Sequence, residues 1–143
     1  MEKMTLLLVD DESRFLETMA RLLTRLEVRA LTAGSGAEAL ERLREHEVHV
    51  VILDVKMPGM DGISTLREIR RRHPLVEVIL LSGHGTEDLT VEGLRSGAFD
   101  FVTKPAGLKD LLKMAGEAYR KRIRIEQRIG DVHGEKRDSG RAG

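Results

Sequence analysis

Five residues in this sequence could do chemistry together, and each stands just after a short apolar run. Asp10 and Asp11 follow Thr5 to Val9, Asp54 follows Val48 to Leu53, Ser82 follows Val76 to Leu81, and Lys104 follows Phe99 to Thr103. Three carboxylates held in one crevice repel one another, and a hard divalent cation such as Mg²⁺ or Mn²⁺, which prefers oxygen ligands, relieves that repulsion. One carboxylate in such a site can attack phosphorus and become an aspartyl phosphate while the cation and a lysine neutralise the equatorial oxygens. Asp54 is the best nucleophile because it ends the most apolar run. Lys104 supplies a point charge, and Ser82 offers a hydroxyl donor to a phosphoryl oxygen.

The elements that must position these groups are legible as short apolar runs alternating with longer segments of helical period, the pattern of βαβ units around a parallel sheet. The predicted strands are Thr5 to Val9, Val28 to Ala33, Val48 to Leu53, Val76 to Leu81 and Phe99 to Thr103. The third and fourth are almost continuous Val, Ile and Leu, as central strands covered on both faces require. Ser13 to Leu26 carries a 3.6-residue apolar stripe. Ser35 with Glu38 reads as a capping box for a second helix carrying Ala39, Leu40 and Leu43. Gly62 to Arg72 stops before Pro74. Thr86 to Ser96 is the weakest helix, with Gly93 in its interior at a cost of about 1 kcal/mol relative to alanine, and is expected to be mobile. A fifth helix begins near Leu108. The expected fold is α/β, one open doubly wound sheet of five parallel strands, whose ligands bind at the strands' carboxyl ends.

With 143 residues the chain is long enough for one domain with an ordinary core. Its 24 Lys and Arg balance 24 Asp and Glu, which argues against a nucleic-acid binder acting through overall charge. Three per cent aromatic residues leave no stacking platform. The absence of cysteine removes disulfides, thiolate metal sites and cysteine nucleophiles, and an intracellular, cytoplasmic location is expected. The apolar run Leu6 to Val9 is too short for a signal segment or a membrane span. The charge balance conceals a split. Residues 120–143 hold 8 basic and 4 acidic side chains, leaving 16 and 20 in the rest. Residues 1–120 are therefore read as the folded domain and 121–143 as a basic helical extension that loses periodicity after Gly130 and ends in a disordered tail.

The stretches Leu8-Val9-Asp10-Asp11-Glu12, Leu53-Asp54-Val55-Lys56-Met57-Pro58-Gly59-Met60-Asp61-Gly62, Leu81-Ser82-Gly83, Gly97-Ala98-Phe99-Asp100-Phe101 and Thr103-Lys104-Pro105 closely resemble the receiver domain of two-component response regulators. The resemblance covers roughly residues 4 to 120. It implies a flavodoxin-like (βα)5 fold with strand order 2-1-3-4-5, the order found in chemotaxis receivers. It also implies roles. Asp54 would accept the phosphoryl group from a sensor histidine kinase or a histidine phosphotransfer protein. Asp11, Asp54 and the backbone carbonyl of Lys56 would ligate Mg²⁺, and Asp10 would hold a metal-bound water. Ser82 and Lys104 would grip the phosphoryl oxygens, Phe101 would turn inward as Ser82 moves, and the peptide before Pro105 would be cis. Signal would leave through the fourth helix, fifth strand and fifth helix. Lys56 and His84 fall where the family tunes phosphoryl lifetime. Ala106 replaces a frequent phenylalanine, and Phe101 lacks the hydroxyl of the tyrosine found in many relatives.

Plainer readings stand beside these. Asp11 or Ser13 could cap the first helix without any metal. Asp61-Gly62 reads as turn chemistry, with Met57-Pro58-Gly59 shaping the loop before it. His46 and His49 lack the spacing of a zinc helix motif. Ser82 and Phe101 could be core residues. An aspartate-nucleophile phosphatase of the haloacid-dehalogenase type would need Asp where Lys56 stands. The leading expectation is thus a stand-alone response regulator, a phosphoacceptor switch and not an enzyme, signalling to a downstream protein effector. The alternatives are a phosphorelay intermediate and, less favoured, a phosphorylation-gated nucleic-acid binder using the basic tail; DNA binding and membrane association are not expected. A homodimer through the output face stays open, with Ile125, Ile129 and Val132 too few for a coiled coil.

Overall fold

The computed structural model describes residues 4–57 and 61–142, with side chains described as far as Asp131. Five strands, β1 (Thr5–Val9), β2 (Arg29–Ala33), β3 (Val50–Asp54), β4 (Glu77–Ser82) and β5 (Asp100–Thr103), alternate with α1 (Ser13–Arg25), α2 (Gly36–Glu45), α3 (Gly62–Arg72), α4 (Glu87–Arg95) and α5 (Leu108–Ala142). All neighbours pair in parallel, in the order β2-β1-β3-β4-β5. This is the doubly wound sheet expected from the alternation, in the order implied by the resemblance.

The period-two alternation of side chains divides the core between the two faces of the sheet. Leu6, Leu8, Val50, Ile52, Ile79 and Leu81 point to one face, where Leu16, Met19 and Leu23 of α1 and Leu111, Ala115 and Ala118 of α5 cover them. Leu7, Val9, Val51, Leu53, Val78 and Leu80 point to the other, beneath Ala39 and Leu43 of α2 and Leu66 and Ile69 of α3. Every residue of β1, β3 and β4 is buried. Each fully buried leucine contributes about 1.5–3 kcal/mol of transfer free energy, so these strands are fixed firmly enough to hold charged groups at their ends.

Helix ends follow local chemistry with some departures. Ser35 Oγ accepts from the Glu38 amide at 3.1 Å, but the Glu38 carboxylate reaches the Gly34 amide, also 3.1 Å, one residue before the position of a capping box. Asp61 Oδ1 accepts from the Ser64 amide at 2.7 Å and caps α3. Neither Asp11 nor Ser13 caps α1. Glu12 stands at the N-cap without a side-chain capping bond. The Pro58-Gly59 turn lies outside the described residues.

The structure qualifies one expectation and departs from another. Propensity makes Gly93 a weak point of the fourth helix, but the residue lies buried where a Cβ would run into Leu80 Cδ1 and approach Ile63 Cδ1 at 3.1 Å. The missing side chain lets α4 lie close on β4, so the helix gives up propensity for proximity. Composition predicts an irregular chain after Gly130, yet the backbone of α5 continues as helix to Ala142. Gly134 and Gly140 are the only strong helix breakers within that stretch, and the polar residues between them are compatible with a helix.

The start of the basic extension is also tied to the domain. Buried Arg122 donates Nη1 to the Val48 carbonyl and Nε to Glu126 Oε1, both at 2.6 Å. Lys121 Nζ lies 3.4 Å from the buried Glu77 carboxylate, which Arg70 faces at 3.9 Å. The Tyr119 ring packs edge-on against His49, which accepts the Thr5 amide through Nδ1 at 3.0 Å. These contacts fasten α5 to the edge where the strands begin.

Candidate functional site

Because the strands run the same way, their carboxyl ends share one edge. β1 delivers Asp10, β3 Asp54, β4 Ser82, and the segment after β5 Lys104. Asp10 is fully buried and Asp54 nearly so, while Asp11 is exposed. One oxygen from each of these three carboxylates fits within 4.8 Å of the others. Backbone amides two residues on hold two of them in place: Glu12 N donates to Asp10 Oδ1 at 3.0 Å and Lys56 N to Asp54 Oδ1 at 3.1 Å.

Lys104 closes the cluster. Its Nζ lies 2.8 Å from Asp10 Oδ2, 3.1 Å from Glu12 Oε1 and 3.3 Å from Asp54 Oδ2. Burial pushes the ammonium toward neutrality, but its contacts with Asp10 and Glu12 and the charges of Asp10 and Asp54 outweigh burial and hold it above the ordinary lysine value. Asp54 is raised from its ordinary value by burial above all and also by the Asp10 charge, against the Lys56 amide and Lys104. The Asp54 carboxylate therefore carries a charge its surroundings only partly compensate.

That imbalance, with three hard oxygen donors converging, fits a small divalent cation. The side chains that could hold it are those of Asp10, Asp11 and Asp54. When bound, such an ion would supply charge neutralisation to an incoming phosphoryl group. An open cavity of about 570 Å³ lies over the cluster, lined by Asp11, Asp54, Lys56, Met57, Gly83, His84, Thr86 and Lys104 together with Glu12. Lys56 and His84 stand on its rim, Lys56 exposed. The Lys104–Pro105 peptide is cis.

Ser82, like Asp10, is buried and does not line the cavity, but its hydroxyl is held by other hydroxyls and not by Lys104. Thr90 Oγ1 donates to Ser82 Oγ at 2.7 Å, and Thr86 Oγ1 lies 3.3 Å away. Thr86 also accepts from the Gly83 amide and donates to its carbonyl. Phe101 is 39% exposed on β5, on the outer side of the domain. His49 is spent on the Thr5 amide and Glu47, and among the described residues the aspartate trio is the one group of three or more His, Cys, Asp or Glu able to share a metal.

Sequence reasoning missed Glu12, Thr86 and Thr90. Glu12 adjoins the aspartate pair, and a four-residue spacing links Ser82 to Thr86 and Thr86 to Thr90, but only the folded helix start makes their contacts evident.

The edge of convergent strand ends defines the class. Residues 6–116 match the response regulator receiver domain, and the chain belongs to that family. Among its relatives, the DNA-binding transcriptional regulator NtrC of Klebsiella pneumoniae is 34% identical over 111 residues, 78% of this chain and 24% of that protein. A putative NtrX-like response regulator of Rickettsia bellii is 38% identical over 122 residues, 82% of this chain and 26% of that protein. The chain thus spans about a quarter of the length of these curated relatives. A solved receiver domain protein from Clostridium thermocellum superposes with a TM-score of 0.81 at 35% identity, covering 85% of this chain and 98% of that one.

Proposed function

We propose that this domain accepts a phosphoryl group on Asp54 from a phosphohistidine, with Mg²⁺ held by the aspartate trio, and passes the change to a protein partner. The observation that carries the reading is Lys104 Nζ within 3.3 Å of Asp54 Oδ2, beside two further carboxylates. An Asp54 oxygen forms the O–P bond as the P–N bond of phosphohistidine breaks, and the imidazole, already protonated on its other ring nitrogen, keeps the P–N electron pair and leaves neutral. Asp10 and Asp11 hold the cation, with the Lys56 carbonyl as the backbone ligand that the family pattern supplies. Lys104 takes a phosphoryl oxygen.

Ser82 joins Lys104 once its hydroxyl exchanges Thr90 for the phosphoryl group. Phe101, exposed at rest, turns into the space vacated, altering the face of α4, β5 and α5, which a protein effector or a second copy of the domain would read. Lys56 and His84, on the cavity rim, set how readily water reaches the acyl phosphate. The domain acts as a switch in the cytoplasm; no helix among the described residues is long and apolar enough to cross a membrane.

A second reading is onward transfer to another phosphotransfer protein. A third is favoured by the NtrC relatives, named as DNA-binding regulators, in which the receiver face would act on a DNA-bound assembly. The test of the central reading is incubation with Mg²⁺ and acetyl phosphate followed by intact mass. Wild type is expected to gain one phosphoryl group and Asp54→Asn none; an adduct on Asp54→Asn at the wild-type level overturns the assignment. Decay of the adduct in Lys56→Ala and His84→Ala then tests the rim, where unchanged lifetimes count against a tuning role.

A further inference from the structure

Lys104 has three ammonium protons and three carboxylates around it: its Nζ donates hydrogen bonds to Glu12 at 3.1 Å and Asp54 at 3.3 Å, and is ion-paired with Asp10 at 2.8 Å without the geometry of a hydrogen bond. The three partners are not equivalent. Asp10 is fully buried and its amide-bound oxygen is fixed, and Asp54 is the group to be modified. The Glu12 side chain is 66% exposed and has no part in the aspartate trio. A pair with one partner this open to solvent is worth little on its own, so it is the contact that yields most cheaply.

Glu12 also stands where it can steer. Its amide orients Asp10 while its carboxylate draws Lys104 toward α1, where Nζ lies 5.7 Å from the centre of the Phe15 ring. Glu12 and Lys104 together form the wall between the site cavity and a neighbouring hollow of about 310 Å³ lined by Phe15, Pro105 and Ala106. Small Ala106 leaves that hollow open, so Lys104 has room to lean away from Asp54.

We propose that Glu12 is a positioning residue that acts through Lys104: its carboxylate holds one ammonium proton in the resting state and releases it when a phosphoryl group arrives. A phosphoryl group has three oxygens seeking donors, and the proton held by Glu12 is the one free to be given up. Glu12 thereby slows phosphorylation, because part of the lysine's charge is occupied before the donor arrives. The inference rests on Asp54 as phosphoacceptor.

The test is the initial rate of phosphorylation by acetyl phosphate at saturating Mg²⁺ in Glu12→Gln, Glu12→Asp and, as a control for net charge, Glu17→Gln on the exposed side of α1. Glu12→Gln loses the charge, and Glu12→Asp keeps the charge but not the reach. If Glu12 acts through its contact with Lys104, both are faster than wild type by about twofold to fivefold, and Glu17→Gln is unchanged. A wild-type rate in Glu12→Asp with a faster Glu12→Gln overturns the proposal in favour of general electrostatics, and unchanged or slower rates in both Glu12 variants overturn it outright. Circular dichroism of each variant confirms folding, and the Lys104 ammonium resonance by NMR is expected to shift in both Glu12 variants and not in Glu17→Gln. Absence of any adduct on folded wild-type protein counts against Asp54 as acceptor, a failure distinct from equal rates on a protein that does react.

Discussion

The Thr90 hydroxyl lies 2.7 Å from Ser82 Oγ, joining the middle of α4 to the end of β4 inside a buried pocket. Through this contact the residue expected to greet a phosphoryl group is, at rest, part of the packing of a helix. Thr90→Val keeps the shape and removes the donor. It is expected to lower unfolding free energy by about 1 kcal/mol in urea titrations, with Thr90→Ser close to wild type. Equal midpoints for Val and wild type would show that the bond contributes nothing.

Gly93 sets two effects against each other. Alanine at an exposed helix interior gains about 1 kcal/mol over glycine, whereas a methyl group here meets Leu80 and Ile63 and overpacking costs about 1–3 kcal/mol. Packing is expected to win, so Gly93→Ala destabilises. A variant more stable than wild type in urea would mean that the α4–β4 contact relaxes freely.

Burial, and next the Arg122 charge, hold the His49 imidazole below its ordinary value of 6.5, against opposing pulls from Glu47 and Glu126. The unfolded chain therefore takes up this proton first as pH falls. Stability linked to His49 is present above pH 6.5 and is lost on acidification between 6.5 and the lowered folded value. Thermal melts on both sides of pH 6.5 should show a decline in Tm that is shallower in His49→Asn, whose amide oxygen can still accept from Thr5. Parallel slopes in the two proteins would remove His49 as the source.

Arg122 is a buried cation whose Nη1 serves the Val48 carbonyl. Arg122→Met fills similar space but leaves that carbonyl without its donor, at an expected cost of about 2 kcal/mol. Hydrogen exchange is the finer measure: amides of α5 around Arg122 should lose protection while those of β3 keep theirs. Uniform protection along α5 would mean that the fastening is redundant.

Much of this is legible in the chain. Strand ends place Asp10, Asp54 and Lys104 on one edge because apolar runs and parallel order suffice to say where a strand delivers its last residue. Small shifts such as β3 beginning at Val50, against an expected Val48, reflect ladder bonding that periodicity does not encode. The partners of Ser82 and the Glu12 contact are not legible, since each depends on angstrom-scale approach between segments distant or differently turned in sequence. The use of Gly93 is hidden from the sequence for a related reason: local propensity records the cost of a glycine, while its use lies in a neighbour on another element. Composition makes the basic extension a solvated face, and only the fold shows Lys121 and Arg122 spent on Glu77 and Val48.

A parallel sheet has a polarity, and here its two edges carry separate duties. Strands of five residues rising about 3.3 Å each set the reactive edge roughly 16 Å from the edge that fastens α5. At that separation perturbations combine as independent terms. Asp54→Asn and Arg122→Met should therefore change unfolding free energy additively, within about 0.5 kcal/mol, in a double-mutant cycle. The domain's chemistry is then thermodynamically insulated from its anchorage, and either edge can change without the other registering it.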